Sequence, residues 1–139
     1  ERSTRVPFIV FTAGQSKGQT CSQPVELLSI FPTLTELCGL KTPGDLEGVS
    51  LAPLLNDADA RWERPAITTY FRNNHAVRSQ HWRYIRYADG SAELYDHRED
   101  SREWNNLAGD SQYDDVIAEH ARWLPETNVP DMAQATTKR

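Results

Sequence analysis

Apolar side chains follow three rhythms along this chain, and the changes of rhythm divide it. The first is continuous. Val6, Pro7, Phe8, Ile9, Val10 and Phe11 follow one another, then give way to polar, flexible residues over 12–18. A strand covered on both faces has this character, so residues 6–11 are expected to form a central, buried strand. The second rhythm is helical, with apolar residues at 25, 27, 28, 30, 31, 34, 37 and 38 making one broad stripe. Pro24 suits the first turn, and Glu26 the positive end of the helix dipole. Pro32 interrupts the stripe. It lacks a backbone donor and crowds the preceding turn, which predicts a kink or two short abutting helices. Gly39 supplies a left-handed position after the helix, and Leu40 the hydrophobic contact beyond it. After a loop over 41–48, Ser50 is placed to cap a short helix through Leu51, Leu54 and Leu55 that ends before Asp57.

After Pro65 the period shortens again. Residues 66–71, 76–79, 82–87 and 92–95 are short runs rich in aromatic or β-branched side chains, bounded by turn residues. They predict three or four antiparallel strands, with Asp89-Gly90 as the strongest hairpin signal. A last helix starts at the cap Asp110 and carries Tyr113, Val116, Ile117, His120, Trp123 and Leu124 at three- and four-residue spacing. It is expected to cover one face of the sheet and to stop at Pro125. Residues 126–139 have little to bury and read as a tail.

Composition narrows the function classes. The chain has 139 residues, enough for one moderate core, and 38% of them are hydrophobic. A net charge of -5 provides no electrostatic footprint for nucleic acid or an anionic membrane. No run approaches the roughly 20 apolar residues of a membrane span. The two cysteines, Cys21 and Cys38, are too few for a disulfide scaffold. They allow one bridge, while Cys38 also suits a buried helix face. Glu1 opens the chain with no leader before the apolar run, and the expectation is that these residues are the last part of a longer protein.

Complete chemistry is hard to find. Cys21, at a helix start, is a conceivable nucleophile because the dipole lowers a thiol pKa, but it has no histidine nearby in sequence. His75, His81, His97 and His120 lack the spacing of a metal motif; His97 reads as a turn residue and His120 as a helix-face residue. The acids Asp96, Glu99, Asp100 and Glu103 lack the central glycine of a calcium loop and read as exposed partners of Arg98 and Arg102. Arg78, Arg83 and Arg86, with His75, offer planar forks and a donor for sulfate, phosphate or carboxylate. Pairing of the arginines with Glu93, Glu99 or Glu103 is the alternative. Neither reading supplies nucleophile, base and oxyanion stabiliser together.

Four stretches, in order, carry a family resemblance: Thr4-Arg5-Val6-Pro7 with its strand; Pro24 to Leu34 followed by Glu36-Leu37-Cys38-Gly39; Leu46-Glu47-Gly48-Val49-Ser50-Leu51 with Pro53-Leu54-Leu55; and Ala76-Val77-Arg78 through Trp82-Arg83-Tyr84-Ile85 and Glu93-Leu94-Tyr95-Asp96 to Asn106-Leu107-Ala108. Together they resemble the C-terminal part of a type I, formylglycine-dependent sulfatase of the iduronate-2-sulfatase-like branch. Ser29 departs from an acidic residue common in the family.

The resemblance implies an α/β, alkaline-phosphatase-like fold, of which this chain is the C-terminal fragment. Residues 1–57 would form the edge of the large domain, 65–125 a small antiparallel sheet with a packed helix, and 126–139 a tail. It further implies a sulfuric ester hydrolase acting on sulfated glycans, periplasmic or secreted, with calcium and formylglycine in the full-length enzyme. The partner implied is the N-terminal large domain, which holds the catalytic machinery. Cys21-Ser22-Gln23-Pro24 does not match the C-x-P-x-R maturation motif, so no catalytic or metal residue is carried over. His75 and Arg78 are the candidate contacts to a sulfated sugar. The other reading is a standalone structural or acidic-sugar-binding module without catalysis.

Overall fold

The third rhythm becomes a four-stranded meander. In a computed structural model that describes residues 3–14 and 18–129, β1 (Ala66–Thr69), β2 (His75–Arg78), β3 (Trp82–Arg86) and β4 (Ala92–Asp96) are neighbours in chain order and antiparallel throughout. Most of the expected tail, residues 130–139, lies outside the described residues. The register sets Val77 opposite Tyr84, and Tyr84 opposite Leu94. Alternate residues of a strand share a face, so these three stack on one side, where all are fully buried. Each is worth about 1.5–3 kcal/mol of transfer free energy. The hairpin between β3 and β4 turns at Gly90, whose φ of +87° needs a residue without Cβ. Tyr87 N–H donates to Ser91 O at 3.0 Å and closes it.

A helix covers the buried face as its apolar spacing requires. Asp110 Oδ1 accepts from Gln112 N–H at 3.1 Å and caps the 3-10 turn Ser111–Tyr113, which runs into α3 (Asp114–Ala121). Tyr113, Val116, Ile117 and Leu124 pack against the Val77–Tyr84–Leu94 cluster, with the Tyr113 ring edge-on to Trp82 at 5.7 Å. His120 is buried on this helix. Its Nδ1–H donates to Val116 O at 2.7 Å, and its Nε2 accepts from the Ser79 hydroxyl at 2.8 Å.

Both outer strands are tied by side chains from elsewhere. Glu26 Oε1 accepts from Ile67 N–H of β1 at 2.9 Å, while its other oxygen lies 3.7 Å from Arg64. On β4, Leu94 N–H donates to Asn106 Oδ1 at 3.0 Å, and Leu94 O accepts from Leu107 N–H at 2.9 Å. Such ties occupy backbone groups that would otherwise invite another strand. Glu26 thereby belongs with the sheet: one unit comprises Gln23–Glu26 and Glu63–Arg139, the other Glu1–Ser22 and Leu27–Trp62.

The second unit is helical. A 3-10 turn (Leu27–Ser29) abuts α1 (Ile30–Leu37), with Pro32 inside the first turn of α1, so the interruption yields two abutting helices. Gly39, at φ +65°, ends α1: its N–H donates to Glu36 O, and Leu40 N–H donates to Thr35 O. This is the six-to-one, five-to-two bonding of a Schellman end. Thr33 Oγ1 donates to Ser29 O at 2.5 Å and accepts from Leu51 N–H at 2.8 Å, tying α1 to the start of α2 (Ala52–Asn56). Ser50 Oγ accepts from Ala52 N–H. Gly48 passes so close to the Leu28 carbonyl that a Cβ there would overlap it.

Two expectations for this unit fail. Residues 6–11 form no strand; Ile9 is 88% and Phe11 85% exposed, because an apolar ribbon becomes a strand only beside a partner, and none of β1–β4 pairs with it. Cys38 is exposed, as is Cys21, and both are free thiols. The reason is the orientation of α1, which buries Pro32, Thr33 and Thr35 and leaves Phe31, Leu34 and Leu37 exposed. The helix is packed by its hydroxyls and presents its apolar stripe outward.

Candidate functional site

β2 carries both candidate residues but separates them. His75 and Arg78 are three apart on a strand, so they face opposite sides of the sheet at opposite ends of β2. Each is the centre of a different polar cluster.

At the Arg78 end, the guanidinium donates to Ser79 O, to Trp82 O at 3.4 Å and to His97 Nδ1 at 3.1 Å. An arginine only donates, so His97 Nδ1 accepts and its Nε2–H donates to Glu103 Oε1 at 2.9 Å. Glu103 also receives Arg83 Nη1 at 2.9 and 2.7 Å. Burial pushes the Glu103 carboxyl up, but the hydrogen bonds from Arg83 and His97 outweigh it and hold it below the ordinary carboxylate value. Pairing of Arg83 with Glu103 follows the second of the two readings of the arginines. The acidic stretch is less exposed than expected: Glu103 and His97 turn inward, because the chain from Asp96 to Glu103 folds back on β3 and β4. Asp100 accepts from Trp104 and Asn105 N–H groups and pins that turn, while Asp96 holds Arg98. On the same face, Glu93 accepts from the Tyr87 and Tyr95 hydroxyls at 3.1 and 2.8 Å. Burial, then the Glu93 hydrogen bond, raise the Tyr95 pKa far above its usual value.

The His75 end is an open groove of about 370 Å³, lined by Thr69, Phe71, Arg72, Thr127 and Asn128 as well as His75. His75 is only 5% exposed. Its Nε2 lies 2.8 Å from Asn128 Oδ1 and its Nδ1 2.9 Å from Thr69 Oγ1. An amide oxygen only accepts, so Nε2 carries the proton and Nδ1 takes the Thr69 hydroxyl. The β1–β2 loop above it is strained: Phe71 (φ +54°) and Asn73 (φ +63°) both occupy the left-handed region. The loop is held by Tyr70 N–H donating to Asn74 O, Asn74 Nδ2 to Arg72 O and Ala88 N–H to Asn74 Oδ1.

Sequence reasoning singled out His75 but not the side chains that surround it. Phe71 reads as the last residue of a strand but lies in the turn beyond Thr69, Arg72 and Asn74 read only as turn residues, and Asn128 falls in what reads as tail. Among the described residues, no group of three or more His, Cys, Asp or Glu side chains is placed to hold a metal ion. These residues do not form a calcium site. No described helix is long and apolar enough to cross a membrane.

Comparison with known proteins gives the chain its family. The chain matches the family described as N-sulphoglucosamine sulphohydrolase, C-terminal, over residues 1–129. It is 39% identical over 129 residues to a sulfatase of Formosa agariphila, covering 93% of this chain and 25% of that protein. A Delta 4,5-hexuronate-2-O-sulfatase of Bacteroides thetaiotaomicron is 31% identical over 140 residues, covering 91% of this chain and 29% of that one. A solved structure in complex with its substrate D-glucosamine-2-N,6-O-disulfate superposes with a TM-score of 0.59 at 26% identity, over 68% of this chain and 22% of the other. A 2-O GAG sulfatase superposes at 0.58 with 29% identity and the same coverage. The chain thus spans about a quarter of the length of these curated relatives.

Proposed function

Because the chain belongs to the N-sulphoglucosamine sulphohydrolase C-terminal family, we propose that it serves as the C-terminal segment of a sulfuric ester hydrolase acting on sulfated glycans. The fold is that of the C-terminal part of an alkaline-phosphatase-like sulfatase, with its small antiparallel sheet and helices. In this reading the reaction is carried by an N-terminal catalytic domain, which supplies formylglycine and calcium, and this segment has no turnover of its own. Residues 1–57 form the C-terminal edge of that large domain, and residues 65–125 the small sheet subdomain that closes one side of the substrate cleft. His75 and Arg78 are the proposed glycan-side residues, each acting through its own cluster.

The observation that carries this reading beyond family membership is the outward apolar stripe of α1. Phe31, Leu34 and Leu37, with Ile9 and Phe11, are exposed where a lone domain would bury them. A large catalytic domain is the partner of matching character.

Sequencing the gene upstream of Glu1 tests the reading directly. A C/S-x-P/A-x-R motif within a large α/β domain is the expected result, and a start codon with no such domain overturns it. Turnover of an aryl sulfate by these 139 residues alone would equally overturn the placing of the chemistry elsewhere.

A further inference from the structure

We propose that the groove between the β1–β2 loop and residues 125–129 seats one sulfated sugar ring, with Phe71 against the ring, Arg72 on its sulfate, and His75 positioning Asn128 beside it. The ligand class rests on the reading of the chain as part of a sulfatase; the site itself rests on geometry.

Three observations converge there. The first is strain. A bulky residue such as Phe71 rarely adopts positive φ, and such conformations persist only where surrounding bonds over-determine them, often at ligand clamps. The bonds of Asn74 to Arg72 O, Tyr70 N–H and Ala88 N–H do this. The outcome is a loop that holds an aromatic ring in solvent, 61% exposed, instead of folding it inward. An exposed ring beside a groove, edge-on to the Tyr70 ring at 4.3 Å, suits the apolar face of a pyranose.

The second is charge. Arg72 forms no ion pair with any acid among the described residues, whereas Arg83 and Arg98 are both engaged. Arg72 lines the groove, and the planar fork of a guanidinium matches a sulfate.

The third is the buried support. His75 Nε2–H fixes Asn128 Oδ1, and Asn128 Nδ2 donates to Pro125 O at 3.2 Å. This fastens the segment after α3 to the end of β2 and makes it the second wall. The volume of about 370 Å³ falls in the lower part of the range of small-molecule clefts, roughly 300–1,000 Å³, which suits one ring and its substituent. His75 is a positioning residue in this arrangement, since both its nitrogens are occupied.

Titration calorimetry of the protein with a sulfated uronate–glucosamine disaccharide and its desulfated counterpart tests the proposal. Arg72→Ala should weaken the sulfated ligand about tenfold and leave the desulfated one unchanged, as loss of a charge-assisted contact requires. Phe71→Gly, which also relieves the backbone, should weaken both ligands to the same extent. His75→Ala should weaken both, and His75→Gln, which keeps a donor for Asn128, should restore part of the loss. No binding, equal binding of the two ligands by the unaltered protein, or unchanged affinity in Arg72→Ala overturns the site. Hydrolysis of a small aryl sulfate by the protein joined to its catalytic domain reads the parent function separately. Activity there with no effect of the groove variants leaves the sulfatase reading and removes the groove; sugar binding without sulfatase activity does the reverse.

Discussion

Arg83 Nη1 lies between the two carboxylate oxygens of Glu103, 2.9 Å from one and 2.7 Å from the other. Both side chains are less than one-fifth exposed, so the pair is screened less than a surface contact. A double-mutant cycle of Arg83→Ala and Glu103→Ala should return a coupling energy of about 1–3 kcal/mol, read from urea unfolding. A coupling near zero would show the pair to be an incidental contact.

The same carboxylate makes stability depend on pH. Its folded-state pKa is depressed, so its contribution is fully present above the unfolded value of about 4.3 and is lost as pH falls through the lower folded value. The stability gap between the natural protein and Glu103→Gln should therefore be constant above about pH 5.5 and narrow as pH falls below about 4. Urea midpoints collected at several pH values check this, and a gap that widens on acidification would contradict it.

At Gly48 the backbone leaves no room for a side chain beside the Leu28 carbonyl. Gly48→Ala should force the 3-10 turn at Leu27–Ser29 to shift, at a cost of about 1–3 kcal/mol as for other overpacked sites. Gly44→Ala, where a Cβ meets open space, is the control and should be close to neutral.

Asn106 serves three backbone groups: it accepts from Leu94 and Ala108 N–H groups and donates to Ala92 O. Asn106→Ala should cost about 1–3 kcal/mol, the usual penalty for orphaned backbone groups, and speed hydrogen exchange at Leu94. Asn106→Asp keeps the acceptor and loses the donor, so exchange at Leu94 should stay slow while stability falls. Fast exchange in both variants would mean that the acceptor is not what protects this strand.

Much of the sheet is legible in the chain because its signals are local. The aromatic and β-branched run at residues 82–86, the Asp89-Gly90 turn and the Asp110 cap each bias the backbone where they stand, and the structure follows all three. Burial in the helical unit is less legible. A hydrophobic stripe says which face of α1 should be covered, but Thr33 bonding to Ser29 O and Leu51 N–H decides which face is covered by this chain. The polar clusters are the least legible part. His97 meets Glu103 only because the Asp96–Glu103 stretch doubles back, and His75 meets Asn128 across 53 positions. No spacing rule reaches that far.

The bond from Glu26 to Ile67 gives the sheet unit a break in its thread: the chain leaves after Glu26 and re-enters at Glu63. During synthesis, β1 cannot take that tie from residues made after it; it must recruit one made long before. Closing the intervening loop carries an entropic penalty that grows only slowly with length, but it raises contact order and so slows assembly. An excised sheet starting at Glu63 would keep all four strands yet lose the carboxylate that holds the first. Any attempt to transplant this unit onto another protein has to carry residues 23–26 along, as a separate piece or through a rewired connection.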